Sequence, residues 1–128
     1  MTLTAALLLA ALLVAHDLGD FTPLATARIQ AAKATGRPLG YIGLHAAIHA
    51  VLVALALFLV IRPPPEIIAL AAGFELVTHF AIDVSRARLG VRAPRLGDMR
   101  TNPFWWTLGV DQLLHGLVLV GIAFMALA

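Results

Sequence analysis

Residues 41–61 read YIGLHAAIHAVLVALALFLVI and contain no Asp, Glu, Lys or Arg. A helix needs about 20 mostly apolar residues to cross the roughly 30 Å hydrocarbon core of a bilayer. This stretch meets that length, yet it carries two histidines four residues apart, His45 and His49. The pattern predicts a membrane-spanning helix with one polar face.

Three more segments of similar length and character flank this one, at residues 2–20, 66–86 and 104–127. With residues 41–61 they account for most of the chain, so residues 1–128 are expected to form a single four-span domain. We therefore predict an all-α fold, an integral membrane four-helix bundle with up-down-up-down topology and short loops.

The connections between segments carry ordinary helix-ending and helix-starting residues. The proline run at 63–65 predicts a tight turn between the second and third spans. Thr22-Pro23 could start a short interfacial helix between the first two spans, and Gly36 could end it.

The overall composition agrees with a membrane protein. Hydrophobic residues make up 61% of the chain and charged residues 12%, against about 45–50% and ~25% in soluble domains. These fractions exclude a conventional soluble enzyme and a disordered acidic tail, and the lack of cysteine excludes a disulfide scaffold. The small positive net charge bears on topology, so no nucleic-acid partner is expected.

The basic residues predict the orientation of the chain. No basic residue precedes the first segment, which we therefore interpret as a retained span and not a cleaved signal. Eight of the nine basic residues fall on one predicted side and only Arg62 on the other: Arg28, Lys33, Arg37, Arg86, Arg88, Arg92, Arg95 and Arg100. The positive-inside rule then predicts a cell (inner) membrane protein with both termini on the non-cytoplasmic side.

Each span carries one pair of polar residues four positions apart, which share a helix face. The pairs are His16/Asp20, His45/His49, His79/Asp83 and Asp111/His115. Counted from the cytoplasmic end, one member of each pair is shallow and the other lies about 6 Å deeper. The shallow level holds Asp20, His45, Asp83 and Asp111, and the deep level holds His16, His49, His79 and His115.

Three neighbouring polar residues lie outside these two levels. Glu75 lies one turn beyond His79 on the same face, whereas Asp17 points about 100° away from His16. Gln112 is expected to face away from the Asp111/His115 pair and to bond to another helix. Asp17 and Glu75 are the candidate general bases.

The energetic cost of these residues points to a bound cation. An ionised Asp at a helix centre costs about 2.5–3.5 kcal/mol, and no Lys or Arg is expected inside the bundle to compensate for it. Divalent metal ions would do so, and a two-metal site is a known use of inward-facing His and carboxylate pairs. All eight paired residues are predicted metal ligands, for one or two ions. Zinc is favoured, while manganese, iron and nickel stay open.

Four strings of this sequence resemble a known family: HDLGDF at 16–21, HAAIH at 45–49, HFAID at 79–83 and DQLLH at 111–115. They are similar to domain of unknown function 3307, a family of small prokaryotic membrane proteins, over nearly the whole chain. The resemblance implies a four-span membrane protein and brings no established activity. In that family Leu-Gln often follows the first string, but here Thr22-Pro23 follows it, so any role of that Gln is absent. The His-x-x-x-Asp spacing also resembles one motif of zinc transporters.

Three functions remain open at this point. The first is a metal-dependent hydrolase that is embedded in the lipid bilayer and acts on a lipid or lipid-phosphate group from the cytoplasmic side. The second is a divalent-metal or proton transporter, or a subunit of one, that uses the same residues. The third is a structural metal staple in a membrane module, and a homo-oligomer is compatible with all three. Plain interhelical hydrogen bonding is the alternative to any metal.

Overall fold

The computed structural model describes residues 2–128, and within that range it is helical with no strands. A short 3-10 helix, Pro94–Leu96, precedes the last of five α-helices. The α-helices are α1 (Leu3–Phe21), α2 (Ala27–Thr35), α3 (Leu39–Val60), α4 (Pro65–Arg92) and α5 (Asn102–Leu127). All except α2 are long and apolar enough to cross a membrane. The predicted fold class is therefore confirmed.

The four long helices form a closed ring. Helix α1 packs against α3, α3 against α4, α4 against α5, and α5 back against α1. Successive long helices run in opposite directions, which gives the up-down-up-down topology. Helix α2 packs across α3 and α4 at the end of the bundle where all the basic residues except Arg62 lie. We call this the basic end.

The short helix α2 begins later than Thr22-Pro23, the predicted start. The peptide N–H of Ala25 instead bonds to the carbonyl of Thr22 in a turn. The side chain of Thr26 then caps α2 by accepting the backbone N–H of Ile29. The predicted end is correct, because Gly36 adopts the left-handed conformation with φ 73° that suits a helix C-terminus.

Helix α4 extends beyond the predicted span end at residue 86 and reaches Arg92. That stretch contains Gly90 but no proline, and the next proline is Pro94. The residue before a proline is sterically disfavoured in the helical region, so Ala93 ends the helix. The basic end of α4 thus projects past the apolar part of the bundle.

The outer surface of the bundle is apolar, and its interior has an apolar half and a polar half. Its outer surface carries large exposed side chains such as Leu7, Val14, Val51 and Phe124, as expected for helices that face lipid. The half of the interior away from the basic end is an apolar core of Leu8, Leu12, Val53, Leu57, Ala71, Leu119 and Ile122. The other half of the interior is polar.

Candidate metal centre

The four deep histidines, one from each long helix, form a closed ring of side chains. The imidazole centroids are 5.0 Å apart for His16–His49, 3.8 Å for His49–His79, 4.2 Å for His79–His115 and 5.0 Å for His16–His115. All four are at least nine-tenths buried. Sequence spacing alone placed these residues at one depth, and the structure brings them into contact there.

The shallow residues lie beside this ring, toward the basic end. His45 Nε2 is 2.9 Å from Asp20 Oδ1 and 3.7 Å from Asp83 Oδ2. Asp111 is also buried, one helical turn from His115. All eight paired residues therefore meet in one buried group. Together with Glu75 we call them the polar cluster.

Helix α2 adds a residue that the sequence analysis left out of the bundle. The ammonium of Lys33 lies 3.1 Å from Asp20 Oδ1 and 3.2 Å from Asp83 Oδ1. The expectation that no Lys or Arg lies inside was therefore wrong. Lys33 reaches the cluster because Ile29 and Ala32, on the same face of α2, are buried and hold that face against the bundle. One positive charge therefore lies between two carboxylates and compensates part of their negative charge.

His45 Nε2 has two neighbouring polar groups and cannot form a hydrogen bond with both at the same time. Lys33 Nζ is 3.0 Å from His45 Nε2, and Asp20 Oδ1 is 2.9 Å from that nitrogen. One imidazole nitrogen either donates its proton to the carboxylate or accepts one from the ammonium. The shallow level therefore holds its charges close together with incomplete hydrogen bonding.

Gln112 also belongs to this group, so the expectation that it faces away was wrong. Its amide nitrogen donates to Asp20 Oδ2 and to Asp111 Oδ2, both at 3.2 Å. Its carbonyl oxygen lies 3.3 Å from His16 Nε2. A single amide thus links α5 to α1 and joins two carboxylates that would otherwise repel each other.

Two histidines are held by their Nδ1 atoms. His115 Nδ1 lies 2.8 Å from the backbone carbonyl of Asp111, which only accepts, so Nδ1 carries the proton. His79 Nδ1 donates in the same way to Glu75 Oε1, 3.0 Å away. In both rings Nε2 is left with a lone pair. Metal-binding histidines are commonly oriented by such a bond on the second nitrogen.

Many atoms of the polar cluster have no hydrogen-bond partner. Within the described residues, ten buried side-chain nitrogen or oxygen atoms lack one, and all but Arg86 Nε belong to the cluster. They include His79 Nε2, His115 Nε2 and both carboxylate oxygens of Asp83, although Oδ1 lies within ion-pair distance of Lys33. Leaving a buried polar group unpaired costs about 1–3 kcal/mol. This donor set therefore fits a bound cation.

Three groups of side chains bring their ligand atoms within 4.8 Å of one another. They are His16/His49/Glu75/His79, Asp20/His45/His49/His79 and His79/Asp83/His115. Because His79 belongs to all three groups, they are alternative positions for one ion and not three separate sites. Asp111 belongs to none of them, which leaves this predicted ligand without a ligand group.

The two candidate bases have different surroundings. Asp17 is exposed on α1, on the side opposite the buried residues, and takes no part in the polar cluster. Glu75 is 1% exposed and bound to His79. Its second carboxylate oxygen, Oε2, is buried and has no hydrogen-bond partner. Asp111, with Oδ1 buried and unpartnered, has a free acceptor.

Gly19 allows α1 and α3 to approach where the histidines meet. A Cβ at this position would clash with the imidazole of His49. We expect Gly19→Ala to lower the free energy of unfolding by about 1–3 kcal/mol, the usual cost of overpacking, as measured by reversible unfolding in mixed detergent micelles. Gly116→Ala is the matched control, because a Cβ there meets nothing within 4 Å. Equal stability of the two variants would contradict the close packing.

Comparison with known proteins gives one match. A family model described as Protein of unknown function (DUF3307) covers residues 8–128. This confirms the resemblance drawn from the four His/Asp strings. No curated protein and no solved structure matches the chain.

Proposed function

The chain belongs to the DUF3307 family of proteins of unknown function, and we propose that it is a membrane-embedded metal-dependent hydrolase with one divalent ion. The observation that carries the proposal is the unpartnered set of buried ligand atoms at His79, Asp83 and His115. The substrate class we propose is a lipid or lipid-phosphate group, since the site lies inside a bundle of apolar helices.

Among the three ligand groups, we assign the ion to His79/Asp83/His115. The His16/His49/Glu75/His79 group also has unpartnered atoms, but four protein ligands would close the site, whereas a catalytic ion needs an open position. The free Nε2 atoms of His79 and His115 are both oriented by bonds on Nδ1. The Oδ2 atom of Asp83 lies 3.6 Å from His79 Nε2 and is not the oxygen that approaches Lys33. By contrast, the Asp20/His45/His49/His79 group uses Asp20 Oδ1 and His45 Nε2, which are already in contact with the ammonium of Lys33.

A three-ligand group also fits catalysis. Catalytic zinc sites typically combine three protein ligands with one open position, whereas structural sites are closed. Two imidazoles and one carboxylate suit zinc, and manganese, iron and nickel are the alternatives. The bound ion would polarise the scissile group and make water a better nucleophile.

The ligand groups favour one ion over two. Lys33 and one divalent ion together carry three positive charges, against four negative charges when Asp20, Glu75, Asp83 and Asp111 are all ionised. A second ion would have to share His79 with the first, because every ligand group contains that residue.

Asp111 is the group that we assign to proton transfer. It is no member of a ligand group, and its Oδ1 has no partner. In hydrolysis the oxygen of water would attack the phosphorus or carbonyl carbon, and Asp111 would take the proton released. The bond to the leaving oxygen would break, and that oxygen would take up a proton. Asp17 is exposed, and Glu75, although its Oε2 is also unpartnered, belongs to a ligand group.

A divalent-metal or proton transporter is less well supported. A transport path would have to continue from Glu75 to the far end of the bundle. The buried residues on that side are apolar, including Leu12, Val53 and Leu57. No polar or charged side chain is buried beyond Glu75 in the described part of the chain. The arrangement therefore favours chemistry that is approached from the basic end or from the bilayer.

Asp111→Asn separates the catalytic role from metal binding. We expect this variant to retain its metal while hydrolysis of phosphatidic acid in vesicles, followed as phosphate release, falls about 10²–10⁴-fold, the usual contribution of a general base. The control is Asp17→Asn, which changes an exposed acid and should leave the rate unchanged. Absence of stoichiometric metal in the purified wild-type protein by elemental analysis would refute the proposal. Hydrolysis unaffected by Asp111→Asn would remove its assigned role.

A further inference from the structure

A groove on the outer surface of the bundle runs between α4 and α5 near the basic end, with a volume of about 340 Å³. Its walls include Leu89, Trp106, Val110 and Leu114, each of them 43% exposed or more. In a membrane-spanning bundle this surface faces lipid and not the interior. Whatever fills the groove must therefore be compatible with the bilayer.

The groove contains a cation that forms no ion pair within the described residues. This cation is Arg86, which lies one helical turn before Leu89 in the groove wall and whose Nε is buried and has no hydrogen-bond partner. The Arg86 guanidinium carbon lies 5.5 Å from the centre of the Phe104 ring, so an aromatic face helps to hold the side chain. A guanidinium with free N–H groups matches a phosphate, which it can bind through two parallel hydrogen bonds.

The inner wall of the groove connects to the polar cluster through Asp111, which is 4% exposed. The amide of Gln112 bonds to Asp111 Oδ2 and to Asp20 Oδ2. The groove is thus lined by a cation, an apolar wall and one carboxylate of the cluster. A phospholipid offers a phosphate, which matches the cation, and hydrocarbon, which matches the apolar wall.

We propose that this groove binds one anionic glycerophospholipid, with its phosphate on Arg86 and an acyl chain along α5. The volume is in the range of small-molecule sites, about 300–1,000 Å³. One free guanidinium matches one phosphate. That the lipid is also the substrate of the site rests on the proposed function, but its binding does not depend on a metal ion.

The two tryptophans provide a built-in probe. Trp106 lines the groove, whereas the indole of Trp105 donates to the carbonyl of Met99 in the connection before α5. Since the chain has two tryptophans, Trp105→Phe leaves Trp106 as the single fluorophore, and Trp106→Phe leaves Trp105. Each variant is placed, after chelator treatment, in phosphatidylcholine vesicles that contain brominated phosphatidylglycerol or brominated phosphatidylcholine.

We expect brominated phosphatidylglycerol to quench Trp106 with an apparent affinity about fivefold higher than brominated phosphatidylcholine, the scale of one Arg beside an anionic lipid. Arg86→Gln should abolish this preference. Arg88→Gln, which alters a separate basic pocket next to Arg37 and Arg92, should retain it, and Trp105 should show none.

Equal quenching by the two lipids, or a preference that survives Arg86→Gln, would overturn the proposal. Protection of Trp106 from both lipids would also overturn it and would indicate that a second copy covers the groove. Because the protein is tested without metal, these outcomes are independent of whether the proposed hydrolase activity exists.

Discussion

Replacing His79 or His115 with alanine is expected to abolish tight metal binding. The proposed ion uses Nε2 of both residues, and His79 belongs to every ligand group in the structure. Loss of an outer hydrogen-bonding partner typically lowers metal affinity about 10–100-fold, so loss of a direct ligand should lower it more. Zinc affinity of detergent-purified protein, measured by competition with a chromophoric chelator, gives the result directly.

His45→Ala is the matched control, because His45 is an equally buried histidine of the same polar cluster. It lies outside the His79/Asp83/His115 group, so we expect its loss to change zinc affinity far less. If His45→Ala lost as much zinc affinity as His115→Ala, the ion would have to lie in the Asp20/His45/His49/His79 group instead. The His79→Ala variant could lose zinc simply because it misfolds. His79→Asn controls for this, because it removes the imidazole but retains an amide that can donate to Glu75.

Replacing Lys33 with methionine is expected to be strongly destabilising. The change leaves Asp20 and Asp83 without their buried cation. Removing one partner of a buried ion pair costs about 3–5 kcal/mol, because an uncompensated charge stays behind. We expect the metal-free variant to lose about that much free energy of unfolding, and added zinc to restore part of the loss, because the ion would compensate Asp83. Reversible unfolding in mixed detergent micelles, with and without zinc, measures both effects.

Arg28→Met is the control for the Lys33 substitution. Arg28 is a basic residue on the same helix, but its side chain is exposed. Its replacement should change stability by no more than about 0.5 kcal/mol, as surface substitutions usually do. If both variants were equally stable, or if zinc protected them equally, the role of Lys33 as an internal counter-ion would be wrong.

The transmembrane part of the fold could be predicted from sequence because each step depends on local pattern. The length of an apolar run determines whether a helix can cross a bilayer, and the i,i+4 spacing determines which polar residues share a face. Pairs such as His45/His49 and His79/Asp83 therefore revealed both the depth and the convergence of the cluster. No knowledge of helix packing was needed for this.

Lys33 was missed because its place depends on how α2 docks. Its charge made it look like one more residue of the basic connection. A signal was nevertheless present, since Ile29 lies four positions before Lys33 and shares its helix face, and Ala32 lies next to Lys33 in the sequence. Both are buried. An apolar residue on that face of a short basic helix indicates that the face is turned inward, and Lys33 with it.

Gln112 and Asp17 show that the rotation of each helix matters as much as spacing. In α5 the deeper buried residues Leu119 and Ala123 lie on the same side as Gln112, so its amide points inward. In α1 the buried residues Leu8 and Ala15 lie nearly opposite Asp17. The apolar core further along each helix fixes the rotation, and the polar motif alone does not.

The choice among the ligand groups could not be reached from sequence. It depends on which nitrogen of each histidine is held by another group, as in the contact of His115 with the carbonyl of Asp111. It also depends on which oxygen of Asp83 faces Lys33. Distances between atoms on different helices decide both, and no spacing rule supplies them.

The central claim, that one ion is held by His79, Asp83 and His115, is tested most directly by X-ray absorption at the zinc edge of the zinc-loaded, detergent-purified protein. The account predicts a four-coordinate shell of nitrogen and oxygen atoms at about 2.0–2.2 Å, with the outer-shell scattering of two imidazoles. That imidazole signal should persist in His45→Ala and decrease in His115→Ala. A shell of oxygen atoms without imidazole scattering, or a spectrum that His115→Ala leaves unchanged, would contradict it.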